Sequence, residues 1–144
     1  MNLHIKTFEQ LSSTELYELL KARSAVFVVE QTCPYQDIDG GDYESLHVYL
    51  EEEGKLLAYL RCYVQDEYTA RIGRVLTMER GKGLGRPLME AGIQAVREHY
   101  KASSVYIEAQ CYAIGFYNKF GFEVCGEEFL EDGIPHVPMT LDLQ

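Results

Sequence analysis

The residues best suited to chemistry form a glycine-rich turn at residues 79–86, between an apolar segment and an amphipathic one. A helix beginning there presents free N–H groups and about half a positive charge, and both attract phosphate. The glycines let a backbone approach a ligand closely. The turn carries three glycines and three cations: Gly81, Gly83, Gly85, Arg80, Lys82 and Arg86. It therefore predicts a site for a phosphate-bearing ligand, with an ordinary strand-to-helix connection as the alternative.

The spacing within this turn excludes two common phosphate loops. A P-loop starting at Gly81 requires Gly-Lys-Ser/Thr from position 86, where Arg86-Pro87-Leu88 stands. The dinucleotide pattern G-x-G-x-x-G also fails, because Arg86 occupies the position of its last glycine. The pattern that remains is Arg80-x-x-Gly83-x-Gly85.

That pattern resembles the acetyl-CoA pyrophosphate loop of the GNAT superfamily of N-acetyltransferases, Gln/Arg-x-x-Gly-x-Gly/Ala. Downstream, Phe116-Tyr117-x-x-Phe120-Gly121-Phe122 resembles the second family signature, whose tyrosine lies beside the CoA sulfur. Residues 25–39 (AVFVVEQTCPYQDID) and 133–136 (GIPH), with Tyr106 and Ala109-Gln110, are similar to the ElaA-type subgroup. The resemblance covers essentially the whole chain.

The resemblance implies that an acetyl group passes from acetyl-CoA to a primary amine by direct attack in a ternary complex. A backbone N–H near Leu76–Thr77 would polarise the thioester carbonyl, and Tyr117 would protonate the departing thiolate. The alternative for Tyr117 is a core aromatic, since the chain has 11 tyrosines. The residues expected to contact acetyl-CoA are Leu76, Thr77, Met78, Arg80, Gly81, Lys82, Gly83, Leu84, Gly85, Arg86 and Tyr117.

The base that deprotonates the amine is not fixed by the sequence, which offers three candidates. His136 and His47 are candidates because histidine titrates near neutral pH, and Glu108 because its strand borders the cleft. Each has a structural alternative as a hydrogen-bonded or solvated side chain. The residues expected to bind the acceptor are Asp37, Asp39 and Gln110, although a solvated acidic loop would also contain the two aspartates.

The elements that must position these residues follow from periodicity and capping signals. Alternation predicts strands at 2–8, 47–52, 56–64, 70–78, 104–110, 122–125 and 137–143, with Ile72, Leu76 and Met78 on one face. Ser12 and Glu15 form a capping box for a helix over about 13–28. Further helices follow Arg86 and cover 112–119. This α/β order is that of the GNAT fold, a mixed, mostly antiparallel sheet flanked by helices, with splayed central strands.

Length and charge limit the function classes. The chain of 144 residues predicts one domain, 1–144, and its net charge of −10 disfavours nucleic acid and anionic membranes as partners. Residues 71–86 nevertheless carry five cations against one acid, whereas 37–53 hold seven acids and no Lys or Arg. This distribution predicts a positive island for the cofactor phosphates and an acidic loop that attracts a cationic amine.

The remaining expectations concern the cell and the assembly. The cysteines lack metal-ligand spacing, so we expect free thiols, no metal site and a cytoplasmic protein. A homodimer is possible, and the acceptor is expected to be a small-molecule or peptide amine. The alternative function is an acyl-CoA-binding sensor or scaffold of the same fold without efficient transfer.

Overall fold

The computed structural model describes residues 1–144. The strands are β1 (Asn2–Thr7), β2 (Leu46–Glu52), β3 (Lys55–Val64), β4 (Thr69–Thr77), β5 (Ser104–Gln110), β6 (Glu123–Val124), β7 (Phe129–Glu131) and β8 (Ile134–Asp142). The α-helices are α1 (Ser13–Arg23), α2 (Gly85–His99) and α3 (Ile114–Asn118). A π-helical segment follows α1 at Ser24–Glu30, and 3-10 turns occur at Phe8–Gln10, Gly41–Glu44 and Cys111–Ala113.

The strands form one mixed sheet in the order β1-β2-β3-β4-β5-β8-β6, with β7 paired to β8. Its one parallel pair, β4 with β5, is joined only between Thr69–Arg71 and Ser104–Tyr106. Beyond these residues β4 runs on to Thr77 and β5 to Gln110 without pairing to each other, so a cleft opens between them. The predicted mixed, mostly antiparallel sheet with splayed central strands is confirmed.

A bulge in β4 lies beside this cleft. Tyr59 of β3 pairs with Leu76 and Arg61 with Gly73, so β4 has one extra residue between these pairs. Arg74 takes up the irregularity with a φ of 54°. Because of this extra residue, side chains of β4 after the bulge lie on the opposite face of the sheet from the one that regular alternation predicts.

The change of face is visible in the two core clusters, which lie on opposite faces of the sheet. Ile72 packs with the buried side of α2, whereas Leu76 packs with Leu19 and Ala22 of α1. Met78 lies beyond the end of the strand and is exposed. The prediction that Ile72, Leu76 and Met78 share one face is therefore wrong, because regular alternation does not survive a bulge.

The two helices that cover the sheet begin as their sequences require. The Ser12 hydroxyl accepts from the Glu15 N–H at 3.0 Å and the Glu15 carboxylate accepts from the Ser12 N–H at 2.8 Å, which is the predicted capping box. Regular α-helix ends at Arg23 and the π-helical segment continues it past residue 28. On α2, a Cβ at Gly92 would lie 2.7 Å from a methyl group of Leu60, so glycine lets the helix lie close to β3 with this side chain in place.

The last hairpin differs from its prediction. β8 begins at Ile134 rather than Val137, and the three-residue β7, which is too short to show alternation, pairs with it. His136 is therefore inside a strand, opposite Gln110 of β5 and Phe129 of β7. No helix is both long enough and apolar enough to cross a membrane.

Candidate active site

The glycine-rich turn connects β4 to α2 and leaves a run of backbone amides without partners. α2 begins at Gly85, and its N-cap residue, Leu84, offers no capping side chain. No backbone N–H from Gly81 to Arg86 donates to a protein acceptor. Free amides at the positive end of a helix form an anion site, so these residues fit the pyrophosphate of CoA.

Glycine gives this turn its shape. Gly81 and Gly83 have φ values of 78° and 69°, in the left-handed region that side chains disfavour. At Gly85 the constraint is space, because a Cβ there would lie 2.9 Å from the Phe116 ring. α3 thus packs directly against the start of α2.

The cations of the turn lie at the surface. The side chains of Arg80, Lys82 and Arg86 are 70%, 65% and 81% exposed. Arg80 pairs with Glu30 at 2.6 Å, whereas Lys82 and Arg86 contact only acids of their own segment. These contacts are solvated and worth little, so an entering anion can replace them.

A cavity of about 770 Å³ runs from this turn into the cleft between β4 and β5. It brings together most of the residues singled out from the sequence: Leu76, Thr77, Arg80, Gly81, Gly83, Leu84, Gly85, Asp39, Glu108, Gln110, Tyr117 and His136. Five predicted residues do not line it, namely Met78, Lys82, Arg86, Asp37 and His47.

The open edge of β4 supplies a donor at this cavity. The Met78 N–H donates to the Leu57 carbonyl of β3 at 2.9 Å. Because successive strand amides point in opposite directions, the Thr77 N–H points away from β3 and toward the cleft. This amide is placed to polarise a carbonyl held there.

Tyr117 presents its side chain to the same cavity. Its ring packs edge-to-face against Phe116 and Phe122, with centroids 5.1 and 6.0 Å away. The hydroxyl makes no hydrogen bond to the protein and is not sealed from the cavity. Burial raises the pKa of Tyr117, so the hydroxyl stays protonated at neutral pH and can donate.

His136 lies across the cleft on β8. Its Nδ1 is 2.7 Å from the Ile134 carbonyl, which can only accept, so Nδ1 carries the proton. In the neutral ring this leaves the Nε2 lone pair free, with the Glu131 carboxylate 3.6 Å away. The ring stacks on Phe129, which fixes its orientation.

Glu108 is held by two donors on the floor of the cavity. Arg71 donates to Oε1, and the Tyr106 hydroxyl donates to Oε2 at 2.9 Å. Its carboxylate is therefore engaged on both oxygens, unlike the free Nε2 of His136.

The loop that contains residues 37–42 borders the cavity. A network of ion pairs, which we call the loop network, joins its three aspartates to three arginines of α1, β3 and β4: Asp37, Asp39, Asp42, Arg23, Arg61 and Arg74. Fully buried Arg23 contacts Asp37 at 2.9 Å and Asp42 at 2.6 Å. Arg61 grips Asp39 through both of its terminal nitrogens, at 2.9 and 2.7 Å. The network fixes the loop because breaking one pair leaves a buried charge uncompensated.

The expected role of Asp37 and Asp39 as free carboxylates for a cationic acceptor does not fit this geometry. Asp37 is buried between Arg23 and Arg74, which lies 2.8 Å from it. Hydrogen bonds from Arg61 lower the pKa of Asp39. The negative charge of this pair is balanced by arginines from α1, β3 and β4.

The cations of residues 71–86, predicted to form one positive island, also fall into two groups. Arg71 pairs with Glu108, and Arg74 joins the loop network. Both are therefore occupied by carboxylates, whereas Arg80, Lys82 and Arg86 have only solvated contacts. The positive residues are continuous in sequence, but those on β4 are paired with buried or half-buried carboxylates and those of the turn are exposed.

His47 lies outside the cavity, and its surroundings do not favour the role of base expected for it. The side chain is fully buried, with Nδ1 2.7 Å from the Tyr59 hydroxyl and Nε2 3.0 Å from the Asp42 carbonyl. Burial lowers the pKa of His47. The ring is a neutral structural bridge between β2, β3 and the loop.

Sequence reasoning missed the contribution of the π-helical segment to the site. Val26 and Phe27 of this segment line the cavity. Gln31, which follows the segment, also lines the cavity and accepts a hydrogen bond from the Gln110 side-chain amide at 3.3 Å. Next to it, Glu30 reaches Arg80. The helical periodicity of residues 16–27 gave no sign of these contacts, although π-helical turns often occur at functional sites.

The fold and this site define a class of protein. A family model described as an acetyltransferase (GNAT) domain matches residues 9–143. The chain therefore belongs to the GNAT acetyltransferase family. Protein ElaA of Escherichia coli is 41% identical over 140 residues, which cover 93% of this chain and 92% of ElaA. A UPF0039 protein of Schizosaccharomyces pombe is 40% identical over 142 residues, covering 96% and 95% of the two chains.

Solved structures of similar proteins have the same fold. The crystal structure of E. coli ElaA matches with a TM-score of 0.93 at 38% identity, covering 99% of this chain and 100% of that chain. An acyl-CoA N-acyltransferase from Pseudomonas aeruginosa matches with a TM-score of 0.92 at 40% identity, covering 98% and 99%. The predicted GNAT fold and the ElaA-type resemblance are confirmed.

Proposed function

We propose that the protein transfers an acetyl group from acetyl-CoA to a primary amine. The observation that carries the proposal is the run of free amides from Gly81 to Arg86, at the mouth of a cleft that also holds the unpartnered Tyr117 hydroxyl. The amides suit the pyrophosphate, and the open edge of β4 suits the amide groups of the pantetheine arm. An anion site joined to a narrow, partly apolar cleft fits CoA better than a free nucleotide.

The proposed reaction has two proton transfers, one to His136 and one from Tyr117. Nε2 of His136 takes a proton from the acceptor ammonium, and the neutral nitrogen then attacks the thioester carbonyl carbon. The Thr77 N–H stabilises the negative charge that develops on the carbonyl oxygen. As the carbon–nitrogen bond forms and the carbon–sulfur bond breaks, Tyr117 gives its proton to the leaving thiolate. The products are an N-acetyl amine and CoA.

His136 is preferred over Glu108 as the base because of their contacts. The Nε2 lone pair of His136 has no donor within hydrogen-bond distance, whereas both oxygens of Glu108 already accept hydrogen bonds. Glu108 is left as a group that contacts the acceptor.

The test combines calorimetric CoA binding with thiol release from acetyl-CoA across a panel of primary amines. Transfer predicts micromolar CoA binding and amine-dependent thiol release. Binding without release for any amine would instead favour an acyl-CoA sensor or scaffold. Absence of CoA binding would overturn both functions.

A further inference from the structure

Among the arginines of β3 and β4, Arg71 makes the fewest hydrogen bonds, one against three for Arg61 and two for Arg74. Arg23 and Arg61 each make three hydrogen bonds within the loop network. Arg71 makes a single one, from Nη2 to Glu108, although a guanidinium has five N–H donors. Its side chain is 27% exposed and lines the cavity. The unused donors therefore face space that a ligand can enter.

The surroundings hold Arg71 in place without saturating it. The guanidinium carbon lies 5.5 Å from the centroid of the Tyr106 ring, and the Tyr106 hydroxyl also binds Glu108. Arg71 and Tyr106 are the last residues that pair β4 with β5, at the closed end of the cleft. A positive group and a negative group are thus fixed side by side where the cleft ends.

We infer that the acceptor is a small amine that carries a carboxylate, with Arg71 binding the carboxylate and Glu108 the ammonium. This inference rests on the proposed acetyl transfer and names the substrate class for the same site. A zwitterion aligned head to tail with the Arg71–Glu108 pair gives each charge a new partner. The planar guanidinium fork suits a carboxylate, which it can bind through two parallel hydrogen bonds.

The energetics favour this exchange. The pair is partly exposed, with side-chain exposures of 27% and 21%, so its own attraction is weakened by solvent. A ligand that closes the cleft excludes that water and strengthens both new contacts. An amine without a carboxylate must compete for Glu108 while leaving the unused donors of Arg71 buried and unpaired, which is costly.

The experiment compares matched acceptors: glycine, β-alanine and 4-aminobutyrate, each with its carboxamide. For the amino acid whose length suits the cleft, kcat/KM from thiol release is expected to exceed that of its amide by about tenfold or more. Arg71→Gln should remove most of this ratio through KM, because the acid loses its carboxylate partner and the amide has none to lose. Arg71→Lys keeps the charge but not the fork and should retain part of the ratio. Arg97→Gln, on a surface helix outside the cavity, should leave the ratio unchanged.

A second readout separates this inference from the proposed function. Calorimetry with the CoA-loaded protein should detect binding of the preferred amino acid, and Arg71→Gln should weaken it about tenfold or more. Equal use of acids and amides, with a ratio insensitive to Arg71→Gln, would overturn the inference and leave the transferase intact. Absence of thiol release with every amine would overturn the proposed function, and amino-acid binding would then still report on Arg71.

Discussion

At the scale of single residues, Tyr117 and His136 each have a reactive atom that makes no hydrogen bond to the protein. The Tyr117 hydroxyl faces the cavity, and the Nε2 of His136 is freed because Nδ1 donates to a carbonyl. Polar atoms in a packed protein are usually paired. Their unpaired state is thus itself evidence of a role in binding or proton transfer.

Replacing Tyr117 by Phe removes the proposed acid and leaves the ring packing in place. We expect kcat to fall about 100-fold, the lower range for loss of general acid catalysis, with the CoA dissociation constant within about twofold of wild type. Thiol release and calorimetry measure the two quantities. Tyr17→Phe, an exposed tyrosine on α1, is the matched control. An unchanged kcat with a substrate for which chemistry limits the rate would remove Tyr117 from the mechanism.

His47 predicts how stability depends on pH. Burial and the charges of Arg23 and Arg61 lower its pKa from 6.5 in the folded protein, and Asp42 only partly opposes them. Below about pH 6.5 the unfolded chain therefore binds a proton that the folded chain refuses, and stability declines as the pH falls further. The limiting slope for one histidine is about 1.4 kcal/mol per pH unit.

His47→Gln should flatten this part of the pH profile, whatever it does to stability at neutral pH. The free energy of unfolding, measured by denaturant titration between about pH 7 and 5, checks the slope. His99→Gln, at the exposed end of α2, should leave it as in the wild type. An identical slope in the His47 variant would mean that the buried ring does not exclude the proton.

At the scale of elements, the turn between β4 and α2 depends on backbone geometry more than on side chains. Gly83→Ala places a Cβ at a φ of 69°, which costs about 1–2 kcal/mol and reorients the free amides. We expect CoA binding to weaken about tenfold or more. Gly54→Ala, in the β2–β3 turn at a φ of 80° with open space around it, introduces the same strain far from the site.

Calorimetry and thermal unfolding distinguish the two glycine variants. Both should lose similar stability, and only Gly83→Ala should lose CoA affinity. Equal CoA affinity in both would show that the amides of the turn do not hold the cofactor.

The elements themselves were largely predictable, and the exceptions have physical causes. β5 matches its predicted range because its alternation is regular and both ends are marked by turns. The bulge in β4 escaped prediction because its left-handed residue is Arg74, where a glycine would be the usual signal. β7 escaped because three residues are too few to show a period.

At the scale of the whole molecule, the site could be predicted where it is local in sequence and not where it is assembled from distant segments. The glycine turn and the segment around Tyr117 were found because each is a short motif. The pairs of Arg23 with Asp42 and of Arg74 with Asp37 join residues from different elements, and no spacing rule anticipates them. The sequence therefore shows the charge of the acidic loop but not the arginines that neutralise it.

The net charge of −10 acquires a more specific meaning from these pairs. The loop aspartates are neutralised, but the five acids within residues 123–132 stay exposed, and Glu131 and Asp132 line the cavity. In the proposed function these acids attract an ammonium group to one side of the cavity, and the surface cations of the glycine turn attract phosphate to the other.

The central claim is that one cleft binds acetyl-CoA and passes its acetyl group to an amine. Mass spectrometry of the acceptor after incubation with acetyl-CoA and wild-type protein tests it most directly. The account predicts an N-acetyl product formed in equal amount to free CoA, with its rate sharply reduced by Tyr117→Phe. An acceptor recovered unmodified from protein saturated with acetyl-CoA, across the amine panel, would contradict it.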